Sequence, residues 1–305
     1  MKVLVLGAGA VGLSVAARLS AVCEVCAVAR KRQVDAIRAE GFLMTGIWGE
    51  VIYLLRVEET VPEGERFDYI LITAKSISTR EICEQNKVVL KGNPVISLQN
   101  GIGNEEIIAD YTDQVIGGII ITGFEWRGDR SVHVLVEGGP MKIGRFPKGD
   151  DREVSQFVDL VASAGIPVQA SANIRADIWS KTLYNCALNP LGALMGVPYG
   201  ALTHPAAWRI ITSIVTEAYA VVMAEDVTLP WDSAVDYLTF LHDVQIPSTT
   251  GHHASMLQDI ARGRITEIDF LNGAVVTIGA RHQIKTPVNA CIADLIRFRE
   301  SLPNR

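Results

Sequence analysis

Lys2-Val-Leu-Val-Leu6 runs directly into Gly7-Ala-Gly9-Ala-Val-Gly12. Leu13 to Leu19 then shows helical spacing, and Glu24-Val-Cys-Ala-Val28 follows. A short, wholly apolar run such as residues 2–6 suits a strand buried on both faces. G-x-G-x-x-G between a strand and a helix, with a second strand after it, is the setting of a dinucleotide-binding turn. Gly7 permits the tight turn, Gly9 lets the backbone approach a pyrophosphate, and Gly12 lets helix and strand pack closely. The phosphates would sit at the helix N-terminus, where free N–H groups and the helix dipole favour anions. Gly7, Ala8, Gly9, Ala10, Val11 and Gly12 are therefore candidate cofactor contacts.

The end of the second strand bears on which dinucleotide is bound. An acidic residue there would accept from ribose hydroxyls. This chain has Arg30-Lys31-Arg32 instead, cations suited to a 2′-phosphate, arginine in bidentate fashion. NADP(H) is the expected cofactor, with Arg30 as the principal contact. The competing reading is a solvated basic start to the helix expected over residues 33–40.

Outward from this turn the strand–helix alternation continues. Phe42 to Val57, with Gly46 and Gly49, predicts an extended hairpin. Phe67 to Thr73 and Val95 to Leu98 read as buried strands ending in Ala74-Lys75 and Gln99-Asn100-Gly101. In an open α/β sheet, ligands bind at the carboxyl ends of the strands, which makes Lys75 and Asn100 candidates; Asn100-Gly101 reads equally as a turn. Residues 115–126 and 131–137 predict two antiparallel strands, residues 141–145 a third. A helix over 151–164 and a strand over 167–170 close the alternation.

From Ala172 onward the pattern is helical, over residues 173–188, 206–226, 233–243, 254–261, 267–281 and 288–300, with Pro190 among the prolines expected to end helices. The fold class expected is α/β: an N-terminal Rossmann-like doubly wound sheet (residues 1–171) with an all-helical C-terminal domain (residues 172–305). The 305 residues carry 49% apolar and 20% charged side chains, enough for sizeable cores, and a formal charge of −6 without a basic block, which argues against a nucleic-acid partner. No uninterrupted apolar run approaches the roughly 18 residues of a membrane span. The immediate strand predicts no signal peptide. Five scattered cysteines suit reduced thiols in a cytoplasmic protein. The apolar C-terminal helices leave room for a homodimer. His252 and His253 find no third ligand at suitable spacing, so no metal is expected.

Within the helical half, Asp177 to Pro190 places Lys181, Asn185 and Asn189 at i, i+4 and i+8, one stripe of a helix otherwise lined by Trp179, Leu183, Cys186 and Leu188. A cation and two amides in line can face a cleft, or be a solvated lysine and two incidental asparagines. Ser255, near the start of another helix, reads as a cap or as a hydroxyl contact to a substrate. Glu267 follows Thr266, where a helix dipole alone would favour a carboxylate.

Taken together, GAGAVG, Arg30, Thr73-Ala-Lys75, Leu98-Gln-Asn100-Gly101, Lys181-x3-Asn185-x3-Asn189-Pro190-Leu191, Ser255-Met-x-Gln-Asp259 and Thr266-Glu267-Ile-Asp269 give the chain, over essentially its full length, a sequence that resembles the ketopantoate reductase family. The resemblance implies an NADPH-dependent reduction of a branched 2-oxo acid to a 2-hydroxy acid, on the route to pantothenate and coenzyme A. It implies Lys181 as catalytic lysine with Glu267 as supporting carboxylate. It implies Asn100, Asn185, Asn189 and Ser255 as substrate contacts, with Asn100, Glu267 and Lys75 also near the cofactor. Tyr199 and His252 stand where the family often has asparagine, which bears on the identity of the acid. The site is expected in a cleft between the two domains, with closure on ligand. The alternatives are a reductase of a different 2-oxo acid, a related 3-hydroxy-acid dehydrogenase, and a non-catalytic NADPH sensor that keeps the fold.

Overall fold

β1 (Lys2–Leu6) divides its side chains between two apolar clusters, Val3 and Val5 in one, Leu4 and Leu6 in the other. A strand buried on both faces belongs at the centre of a sheet covered on both sides. The computed structural model describes residues 1–149 and 151–302. It divides into one compact unit of Met1–Gln99 with Asn104–Arg175, and a second of Asn100–Gly103 with the chain from Ala176 onward.

In the first unit β1 leads through Gly7 into α1 (Ala10–Leu19), then β2 (Glu24–Val28), parallel to β1, and α2 (Lys31–Glu40). β3 (Phe42–Gly46) and β4 (Val51–Tyr53) form an antiparallel hairpin shorter than the one expected over residues 42–57. The chain then rejoins the main sheet as β5 (Arg56–Glu58), parallel to β2. β6 (Tyr69–Ile72) follows, then a 3₁₀ turn (Ser76–Ser78), α3 (Thr79–Gln85), α4 (Lys87–Leu90), β7 (Val95–Ser97) and α5 (Asn104–Ala109). β8 (Val115–Ile119), β9 (Thr122–Trp126), β10 (Ser131–Glu137), β11 (Met141–Arg145), α6 (Arg152–Ser163) and β12 (Val168–Ala170) complete the unit. The main sheet runs β5-β2-β1-β6-β7-β8-β11-β12. It is parallel from β5 to β8, and β11 enters antiparallel to β8. The order reverses direction at β1 and β6, and that switch point is where doubly wound sheets open a ligand crevice.

Residues 115–126 are not one strand. β8 lies in the main sheet and β9 in a separate four-stranded sheet ordered β4-β3-β10-β9. The chain changes sheets at Ile120-Ile121, inside the stretch 115–121 that has no polar side chain and so carries no periodic signal of such a change.

The second unit consists of helices: α7 (Ile174–Met195, beginning at the boundary), α8 (Pro205–Ala224), α9 (Ala234–Phe240), a π turn (Leu241–Gln245) into α10 (Ile246–Ser248), α11 (Ser255–Ala261), a 3₁₀ turn (Ile268–Phe270), α12 (Asn272–Arg281) and α13 (Pro287–Ser301). Two expectations fail here. Pro190 does not end α7; the helix continues through it to Met195. A proline deprives the carbonyl four residues back of its partner, here Cys186. That carbonyl accepts instead from the buried Asn272 side chain, Nδ2 to O 3.3 Å, and Asn272 is itself held by Asn289 at 2.9 Å. Nor does an α-helix begin at Glu267. The backbone breaks at Leu271 (φ −109°, ψ −107°), so α12 starts at Asn272.

α8 also departs from the reading of uninterrupted runs. Its 20 residues, mean hydropathy 1.3, are long and apolar enough to cross a membrane by length and composition, because the average absorbs Arg209 and Glu217. Within this unit α8 packs against α9, α12 and α13, burying Ile211, Ile214, Val215, Ala218, Tyr219, Val221 and Val222. Glu217 accepts from the Val288 and Asn289 amides at the start of α13, both at 3.0 Å.

Candidate active site

The glycine turn is fixed by sterics within the first unit. Gly7 has φ +115°, and a methyl group there would lie 2.4 Å from the Ala74 amide nitrogen at the end of β6. A Cβ on Gly12 would meet the Gly7 carbonyl at 2.1 Å and the Thr73 hydroxyl at 2.3 Å. The Thr73 hydroxyl also donates to the Gly7 carbonyl at 2.6 Å. Gly9 differs: the nearest atom to a Cβ is the Thr73 carbonyl oxygen at 3.9 Å. Close packing therefore accounts for Gly7 and Gly12, while Gly9 faces open space at the start of α1, which carries no side-chain cap. Ala8 and Gln33 are joined, the glutamine amide donating to the Ala8 carbonyl at 2.9 Å.

The three cations after β2 separate into two kinds. Lys31 pairs with Asp35 and Glu59 at 3.4 and 3.7 Å, and Arg32 pairs with Asp129. Arg30 is exposed, directly precedes α2, and its guanidinium makes no ion pair or hydrogen bond among the described residues. Lys75 directly precedes the 3₁₀ turn after β6. An uncapped helix start with room at Gly9, and an uncommitted arginine after β2, fit the pyrophosphate and 2′-phosphate of a dinucleotide.

The second unit gathers the other candidates. Lys181, Asn185 and Asn189 lie on α7, with both asparagines buried. The Lys181 ammonium donates to Asn100 Oδ1 at 2.8 Å, and Asn100 Nδ2 donates to Glu267 Oε2 at 3.2 Å. Asn100 is held by its neighbours: Gly101 has φ +86° and abuts the Phe270 carbonyl, to which the Ile102 amide donates at 2.8 Å. Lys181 as a whole retains some exposure, yet its ammonium is enclosed. Burial pushes its pKa down to about 8, against the opposing pull of the Glu267 charge. Desolvation disfavours a cation and a nearby carboxylate favours it; here desolvation wins.

Asn100, Asn189, Ser255, Met256, Asp259, Glu267 and Leu271 line one cleft. Ser255 opens α11 without capping it, since the position before the helix is Ala254 and no side chain bonds there. Asp259, which enters the sequence reading only as the end of the Ser255-Met-x-Gln-Asp259 motif and with no role, lies one helical turn after Ser255 and so shares its face. Asn189 Nδ2 donates to Asn185 Oδ1 at 3.1 Å, and the buried Tyr199 hydroxyl donates to Asn189 Oδ1. The His252 ring packs on Tyr199 with centroids 5.2 Å apart, and burial lowers its pKa.

A doubly wound sheet in one unit, and an enclosed lysine beside a carboxylate in a helical second, define a two-unit oxidoreductase. Comparison with known proteins makes the assignment specific. The sequence profile described as ketopantoate reductase PanE/ApbA matches residues 3–148, and that of its C-terminal region residues 173–300. The 2-dehydropantoate 2-reductase of Pyrococcus horikoshii is 32% identical, the alignment covering 99% of this chain and 98% of that protein. That of Aquifex aeolicus is 33% identical, covering 98% and 97%. The crystal structure of a PanE/ApbA family ketopantoate reductase from Ralstonia eutropha superposes with a TM-score of 0.88 at 30% identity, covering 98% of both chains. D-mandelate dehydrogenase, solved with NADH and anilino(oxo)acetate, gives the same TM-score at 25% identity. The chain belongs to the ketopantoate reductase family.

Proposed function

We propose that this chain reduces ketopantoate (2-dehydropantoate) to (R)-pantoate with NADPH. The observation that carries the reading is the enclosed Lys181 ammonium, its pKa drawn down to about 8, bonded to Asn100 and facing the charge of Glu267. Reducing a ketone leaves an alkoxide that needs a proton, and an acid whose pKa lies near the working pH delivers one most effectively. NADPH, when bound, supplies the hydride. Gly7 to Gly12 would hold its pyrophosphate and Arg30 its 2′-phosphate, with Lys75 a further contact in the same unit; Asn100 and Glu267 are the cofactor contacts proposed for the second unit.

Lys181 is the proton donor in this reading. Glu267 keeps the ammonium protonated and, through Asn100, orients it. Asn185, Asn189 and Ser255 hold the acid's oxygens. The decisive experiment follows NADPH oxidation with a panel of 2-oxo acids. Turnover of ketopantoate well above the others supports the proposal; no turnover of any acid, with intact NADPH binding, would leave the sensor reading instead. A different 2-oxo acid is the second reading. It is favoured by Tyr199, which places a buried phenol against Asn189 where the family resemblance leads one to expect an asparagine.

A further inference from the structure

We propose that Tyr199 is the positioning residue that sets the amide polarity of the substrate site, turning Asn189 and Asn185 so that both offer N–H donors to the bound acid. The inference rests on the 2-oxo acid reading of the same site and deepens it.

Asparagine carries an acceptor oxygen and an NH2 group with two donors at the two ends of one planar amide, and which end faces a ligand follows from what the other end bonds. Tyr199 occupies the first position of the 3₁₀ turn Tyr199–Thr203 and is 2% exposed. Its ring stands edge-on to Tyr184 (centroids 5.8 Å apart, 84°) and tilted against His252. Its amide donates to the His252 carbonyl at 3.0 Å. The Tyr184 hydroxyl is committed to Thr249 at 3.0 Å. The Tyr199 hydroxyl therefore has a fixed place, and burial pushes its pKa up so that it stays protonated.

A protonated phenol donating to Asn189 Oδ1 turns that oxygen away from ligand. Asn189 Nδ2 then gives one N–H to Asn185 Oδ1 and keeps one. Because Asn185 Oδ1 is the acceptor in that bond, the Asn185 amide nitrogen, which has no partner among the described residues, is left as a donor as well. With the Lys181 ammonium the helix stripe becomes donor-only. Such a stripe matches oxygens that only accept, namely the carboxylate and ketone of a 2-oxo acid. A 2-oxo carboxamide, which brings donors of its own, would meet N–H against N–H.

The test uses the full chain and compares a 2-oxo acid with its carboxamide. Tyr199→Phe keeps the ring and removes the donor. Expected are a KM for the acid raised by about tenfold or more, the scale of one lost bond to a charged group, and a kcat within a fewfold of wild type. The acid-over-amide preference should fall by a similar factor while NADPH affinity is unchanged. A purely structural role would not alter that preference. Asn189→Asp provides a second variant that still accepts from the phenol but has no N–H; its KM for the acid should rise about a hundredfold. A folded Tyr199→Phe with wild-type KM and preference, or an Asn189→Asp with wild-type KM, overturns the assignment. Calorimetric binding of acid and amide to the NADP-loaded chain separates the two proposals. Tyrosine-dependent preference without turnover defeats the reductase reading alone, whereas turnover with a tyrosine-independent preference defeats this one alone.

Discussion

An enclosed ammonium with a pKa of about 8 gives a pH dependence whose sign is fixed. With Lys181 as the proposed proton donor, reduction draws on its protonated form, so kcat/KM should hold below pH 8 and fall about tenfold per unit above it. The Glu267 charge raises that pKa, so Glu267→Gln should move the falling limb to lower pH; a limb that stays in place would separate the carboxylate from the lysine. Lys181→Ala should lower turnover by about 10²–10⁴ with NADPH affinity retained, measured by steady-state kinetics alongside cofactor titration. At this scale the sequence was informative wherever the spacing was local. Lys181, Asn185 and Asn189 share a stripe because 3.6 residues make a turn. Asn100 as the lysine's partner was not legible, since the two lie 81 positions apart and only the fold brings them together. Asp259 was within reach of the same rule that links positions i and i+4.

Elements were legible in kind and less so in extent. α7 runs past Pro190 because Asn272 takes the Cys186 carbonyl that the imino acid leaves without a donor. Nothing within a window around Pro190 announces a partner 82 residues on. Asn272→Ala should strand that buried carbonyl and the Asn289 side chain, at a cost of about 1–3 kcal/mol, read as a lower midpoint in urea with an unchanged slope. A variant as stable as wild type would mean that the turn finds another donor. The break at Leu271 before α12 was hidden for a related reason: Glu267 to Arg281 keeps helical periodicity, and only the backbone angles show where the 3₁₀ turn stops.

For the molecule as a whole, the doubly wound class followed from one short strand, because an apolar run between a glycine turn and an alternating pattern has few other homes. The excursion of β9 and β10 into a second sheet did not follow, since mixed strands such as TGFEW and SVHVLVE carry no mark of which sheet they join. Cofactor choice can be read from global stability. Ligand that binds only the folded chain stabilises it by about 2.7 kcal/mol at a hundredfold excess over Kd. NADPH should raise the melting temperature more than NADH at equal concentration, and Arg30→Ala should remove the difference; equal shifts in the wild type would refute the 2′-phosphate assignment. The interruption at Asn100–Gly103, which returns briefly to the helical unit before α5, bears on any attempt to recombine relatives. A chimera that exchanged residues 1–175 wholesale would import the donor's own tetrapeptide along with its nucleotide module, and with it the amide that greets the host's lysine. Grafts of this scaffold should therefore be cut on both sides of that tetrapeptide, leaving it with the recipient.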